Sequence, residues 1–99
     1  MSFVTTQPGM LAFAAGDLQS IGSAMAAGNM AAAAPTTGVV PAAADEVSAL
    51  TAAHFAAHGA LYQELSAQAT AIHELFVSTL GASAGSYWTT EAANAAQCL

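Results

Sequence analysis

At 99 residues the chain is one domain at most, and its 56% hydrophobic content is largely alanine, a strong helix former that fills little core. No lysine or arginine stands against six acidic residues, for a formal net charge of −6. This excludes nucleic acid as a partner, because phosphate binding works through Lys and Arg displacing counterions. It also leads us to expect no cleavable signal peptide, which needs a basic segment near the N-terminus.

The first helix is expected over about 8–34. Pro8 stands where proline suits a first turn, with Thr6 or Gln7 before it as cap. Leu11, Leu18, Met25 and Ala32 recur every seven residues, with Ala14, Ile21 and Gly28 three after each of the first three. That spacing predicts a seam against a second helix. The cluster Pro35, Thr36, Thr37, Gly38 and Pro41 predicts a bend, so residues 35–44 read as a loop between antiparallel helices.

The second helix is expected over about 45–80, with Asp45 and Glu46 in its first turn, where the backbone dipole favours negative charge. It carries two apolar stripes. One runs through Val47, Leu50, Ala57, Leu61 and Leu75, the other through Phe55, Tyr62, Leu65, Ile72, Phe76 and Leu80. A hairpin needs one such face per helix, so the second stripe predicts a neighbour from another protein. The expected fold class is all-α: an antiparallel two-helix hairpin that completes a four-helix bundle with a partner. The partner interface is expected to comprise Phe55, Tyr62, Leu65, Ile72, Phe76 and Leu80 with Leu11, Leu18, Ile21 and Met25 of the first helix.

Residues 81–86, Gly-Ala-Ser-Ala-Gly-Ser, are expected to break the helix and end the hairpin domain at 86. The remainder, 87–99, reads as a C-terminal tail in which Tyr87 and Trp88 find no core of their own chain and are set out for recognition. Cys98 has no second cysteine, so no disulfide within the chain is open to it; it reads as a solvated tail residue, with a link between two chains as the alternative.

The uncharged run from Leu18 to Ala44 is long enough for a membrane span. Its prolines, glycines, polar side chains and abundant alanine are wrong for one. Catalytic signals are equally thin. His54 and His58 share a helix face without the glutamate that zinc hydrolysis needs between them, and His73 lies roughly 22 Å farther along the helix. Asp45 and Glu46 sit at a helix start, Glu64 and Glu74 are nearly three turns apart, and Cys98 has no base near it. No enzyme activity, metal or cofactor is expected.

Taken together, the opening Met-Ser-Phe-Val with Pro8, the Ala-rich hairpin, the Pro-Ala-Ala-Ala-Asp entry to the second helix and the Tyr-x-x-x-Glu of Tyr87 and Glu91 resemble a mycobacterial PE protein without a long extension. The family's Pro-Glu pair is Pro8-Gly9 here, which removes a carboxylate from the first turn and weakens the helix start by some tenths of a kcal/mol. The resemblance implies an obligate heterodimer with a PPE protein, carried folded through a type VII (ESX) secretion system to the cell surface or beyond, and a role in host interaction. It further implies that Tyr87 and Glu91 are the secretion signal, working beside a Trp-x-Gly turn of the partner, and that the export chaperone grips mainly the PPE subunit. The alternative role is a membrane-associated or channel-forming PE–PPE complex in the outer envelope.

Overall fold

The computed structural model describes residues 4–98. Its regular structure is two α-helices, α1 over Pro8–Thr37 and α2 over Glu46–Gln97, with no strand among the described residues. Two compact units divide the chain. One contains Ser23–Ile72, and the other joins the chain up to Gly22 with the part from His73 onward.

In the unit of Ser23–Ile72, the end of α1 turns through 38–45 into the start of α2. The helix outlasts Pro35, which was expected to lie just past its last residue, and runs to Thr37. Proline removes one backbone donor there, and the last turn is held by other means. Thr36 Oγ1 donates to the Ala32 carbonyl (2.6 Å), Thr37 Oγ1 to that of Ala33 (2.7 Å), and the Gly38 N–H to that of Ala34 (2.9 Å). Asp45 then caps α2. Its carboxylate accepts the Ser48 N–H at 3.0 Å and the Ser48 hydroxyl at 2.6 Å, and these bonds, the hydroxyl's first, hold its pKa below the ordinary carboxylate range.

The two helix segments of this unit run antiparallel. Tyr62 Oη donates to Asn29 Oδ1 at 2.7 Å and Gln63 Nε2 to the Asn29 carbonyl at 2.9 Å. One turn earlier on α2, Gly59 meets the α1 backbone so closely that a Cβ there would lie 2.6 Å from the Thr36 carbonyl oxygen.

In the other unit Pro8 occupies the first turn of α1, and the Gln7 carbonyl accepts the Met10 and Leu11 N–H groups. His73 Nε2 stands 2.7 Å from the Leu18 carbonyl. A carbonyl only accepts, so this nitrogen carries the proton. Gly22 makes the approach possible, since a Cβ on it would come within 2.8 Å of the imidazole.

The helix break expected at 81–86 does not occur, and α2 continues unbroken through Gly81 and Gly85 to Gln97. Both glycines have helical backbones with open space around the Cβ position. Their entropic cost of about 1 kcal/mol each is met by the good helix formers around them and by Ala84, which is buried. The residues from 87 onward are therefore helix rather than a separate tail.

The buried hydrophobic residues among those described are three alanines, Ala15 at 8% exposure, Ala52 at 6% and Ala84 at 5%. The less exposed positions of α2 step by four and three: Ala52, Ala56, Gly59, Gln63, Ser66 and Thr70 in one unit, then His73, Val77, Leu80 and Ala84 in the other. This is the spacing of a helix–helix seam, filled with small and polar side chains except at Val77 and Leu80.

On α1 the less exposed positions include Leu11, Ala15, Leu18 and Gly22, which mix leucine with small residues, and in the other unit Ala26, Asn29 and Ala33, which are small or polar. The seam expected through Ala14, Ile21, Met25 and Gly28 is thereby corrected, because all four are exposed. Small residues let the backbones come close enough for His73 and Gln63 to reach the carbonyls of the opposing helix, and large side chains at those positions would hold the helices apart.

Candidate functional site

The seam decides where the large apolar side chains go. In the unit of Ser23–Ile72, Val47, Leu50, Phe55, Leu61, Tyr62, Leu65 and Ile72 are all exposed, from 50% for Tyr62 to 72% for Val47. In the other unit Leu75 and Phe76 are exposed as well. Apart from Leu80, the residues of both predicted stripes of the second helix are thus exposed, including the stripe expected to pack within the hairpin. Phe55 and Tyr62 are seven residues apart, as are Leu65 and Ile72, and these two rows with Leu61 occupy neighbouring positions around the helix, so they form one broad apolar face.

The residues expected at the partner interface divide accordingly. Phe55, Tyr62, Leu65, Ile72, Phe76, Ile21 and Met25 are exposed. Leu11, Leu18 and Leu80 are half-buried and hold seam positions of their own unit. Sequence reasoning missed the small-residue seam because it tracked large residues. The four-three recurrence of Ala52, Ala56, Gly59, Gln63 and Ser66 was the available signal.

Tyr87 and Glu91 stand one turn apart on the helical end of α2. Tyr87 is 46% exposed and Glu91 half-buried. One oxygen of the Glu91 carboxylate, Oε1, accepts both the Thr6 N–H (3.2 Å) and the Thr6 hydroxyl (3.1 Å). No sequence signal pointed to Thr6 in this capacity. Trp88 lines an open groove of about 630 Å³ together with Gln7, Pro8, Gly9, Met10, Phe13, Ala14 and Asp17. Gly9 leaves this rim bare, since nothing stands within 4 Å of where its Cβ would be.

His54 and His58 are exposed on α2, and no three His, Cys, Asp or Glu side chains gather as a metal site would need among the described residues. Cys98 is exposed. Neither helix is long and apolar enough to cross a membrane.

Comparison with known proteins gives a consistent neighbourhood. The PE family model matches residues 4–94. The chain is 70% identical over 96 residues to PE family protein PE13 of Mycobacterium tuberculosis, covering 97% of each chain. It is 60% identical to PE family protein PE8 of the same species, covering 95% of this chain and 34% of that one. Esterase PE16, also from M. tuberculosis, is 56% identical over 97% of this chain, which spans only 18% of that protein.

Proposed function

This chain belongs to the PE family, and from that premise we propose that it is the PE subunit of an obligate PE–PPE heterodimer exported by a type VII secretion system. One observation carries the reading. In the unit of Ser23–Ile72 the side chains able to build a hydrophobic core lie on the outside of α2, while its own seam takes up alanine, glycine and polar groups. Burying a large apolar side chain contributes about 1.5–3 kcal/mol, so the face of Phe55, Tyr62, Leu65 and Ile72 is worth far more covered than wet, and so is the exposed Phe76 of the other unit. The occupant is a partner with an apolar helical face, as the PPE subunit of a four-helix bundle would present.

Its task is that of an interaction and secretion partner, not a catalyst. The likeness to the protein named an esterase covers 18% of that protein, so the name carries no activity to this chain. Tyr87 and Glu91 serve as the secretion signal, the export chaperone engages the PPE subunit, and the pair reaches the cell surface or the medium.

Co-expression tests the reading. Alone, the chain is expected to aggregate or to melt without cooperativity. With its cognate PPE protein it is expected to elute as a soluble 1:1 complex with an interface on the order of 2,000 Å² or more. A stable, cooperative monomer would remove the need for a partner. Leakage of liposomes caused by the purified complex would instead favour an envelope role.

A further inference from the structure

We infer that Thr6 is a positioning residue for the Glu91 carboxylate, so that the epitope at the end of α2 includes the segment preceding α1; this rests on the reading of Tyr87 and Glu91 as the secretion signal. The contact joins residues 85 apart in sequence, and it is made twice, by the backbone N–H and by the hydroxyl of one residue converging on one carboxylate oxygen. Two converging donors fix a side-chain rotamer in a way one does not. The donors are neutral, and the chain holds no lysine or arginine to answer the charge, so the carboxylate is held in place while its negative charge is left for another molecule.

Local geometry supports this division. Glu91 is half-buried while its neighbours Thr89, Thr90, Ala92 and Ala93 are exposed. It lies on the turn after Tyr87, on the same side of the helix. Thr6 is placed in turn by the start of α1, with Gln7 accepting the first N–H groups of that helix and Pro8 buried in its first turn.

Side-chain length is then decisive. The family pattern Tyr-x-x-x-Asp/Glu admits either acid at position 91, but aspartate would withdraw the carboxylate by about 1.5 Å. Starting from 3.1 and 3.2 Å, both bonds to Thr6 would be lost. The signal in this chain therefore requires glutamate, and it requires a donor at position 6.

The test uses the full chain co-produced with its PPE partner in a mycobacterial host. It compares Thr6→Val, Thr6→Ser, Glu91→Asp and Glu91→Ala for secreted protein, intracellular complex and amide exchange at residue 6. Thr6→Val and Glu91→Asp are each expected to lower the ratio of secreted to intracellular complex roughly tenfold, the factor carried by a hydrogen bond to a charged group. Intracellular yield should stay unchanged and Thr6→Ser should restore export. Protection of the residue 6 amide should disappear in Glu91→Asp.

Export of Thr6→Val and Glu91→Asp at the normal level, with Glu91→Ala blocked, would overturn the role of Thr6 and leave the signal itself standing. Normal export of Glu91→Ala would overturn both. A loss of intracellular complex in step with export in Thr6→Val would make the contact purely structural, and the inference would fall.

Discussion

The imidazole of His73 lies where a side chain on Gly22 would have to be: a Cβ there would sit 2.8 Å from both the Cδ2 and Nε2 atoms. Because Gly22 is one turn after Leu18, its missing side chain opens the path by which Nε2–H reaches the Leu18 carbonyl. Gly59 does the same in the other unit, with the Thr36 backbone as its neighbour. Replacing either glycine with alanine is expected to destabilise, despite a gain of about 1 kcal/mol in helix propensity. Gly59→Ala should cost more, in the range of about 1–3 kcal/mol for overpacking, because it meets a backbone carbonyl at 2.6 Å instead of a ring that can rotate away. Thermal melts of the PPE complex would show the order, and equal melting of both variants and wild type would dismiss the close approach.

The opposite sign is expected at Gly81 and Gly85. Both sit in uninterrupted helix with nothing within 4 Å of the Cβ position. Alanine at either should raise stability by up to about 1 kcal/mol. A fall in melting temperature at both would mean that the backbone there is not helical.

Ile72 is 69% exposed on the apolar face of α2. Ile72→Asp should leave the helix content of the chain intact and abolish pairing with the PPE partner, because a charge buried in a dry interface finds no compensating group in a chain without lysine or arginine. Heterodimer recovered at wild-type yield in a pull-down would take Ile72 out of the interface.

Tyr87, at 46% exposure, makes little of the fold. Tyr87→Ala is expected to change complex stability by no more than about 0.5 kcal/mol, as exposed substitutions usually do, while secretion fails. Secreted and intracellular protein measured side by side decide it, and a proportionate fall in both would assign Tyr87 to stability.

The Asp45 cap predicts a pH dependence. Its hydrogen bonds with Ser48 place the folded pKa below the ordinary value, so its contribution is fully present above the unfolded pKa and is lost as pH falls through the lower folded one. Asp45→Asn keeps a capping oxygen and removes the titration. The difference in melting temperature between wild type and Asp45→Asn should therefore shrink as pH drops from about 5 toward about 2. A difference independent of pH would show that the charge of Asp45 has no part in the cap.

Much was legible in the residues taken in order. Alanine content, Pro8, Gly38, Pro41 and Asp45 mark two helices and the bend between them through local preferences that need no tertiary information, although Pro35 to Thr37 proved to belong to the first helix. The excess of large apolar residues on the second helix was likewise legible, since periodicity alone reveals a face, and most of those residues are exposed. The family is carried by motifs spread over the chain, and matching over residues 4–94 bears it out.

Which face turns inward was a different matter. Two stripes of large residues competed with a quieter four-three row of Ala52, Ala56, Gly59, Gln63 and Ser66, and size favoured the stripes. The outcome depends on how closely two helix segments approach within each unit, at Gly22 against His73 in one and at Gly59 against Thr36 in the other, which no single segment encodes. The glycines at 81 and 85 misled for a similar reason, because a helix end is a balance between local entropy and packing elsewhere, and buried Ala84 lies on the packing side. The hold of Thr6 on Glu91 belongs wholly to the tertiary structure, since only folding brings together residues 85 positions apart.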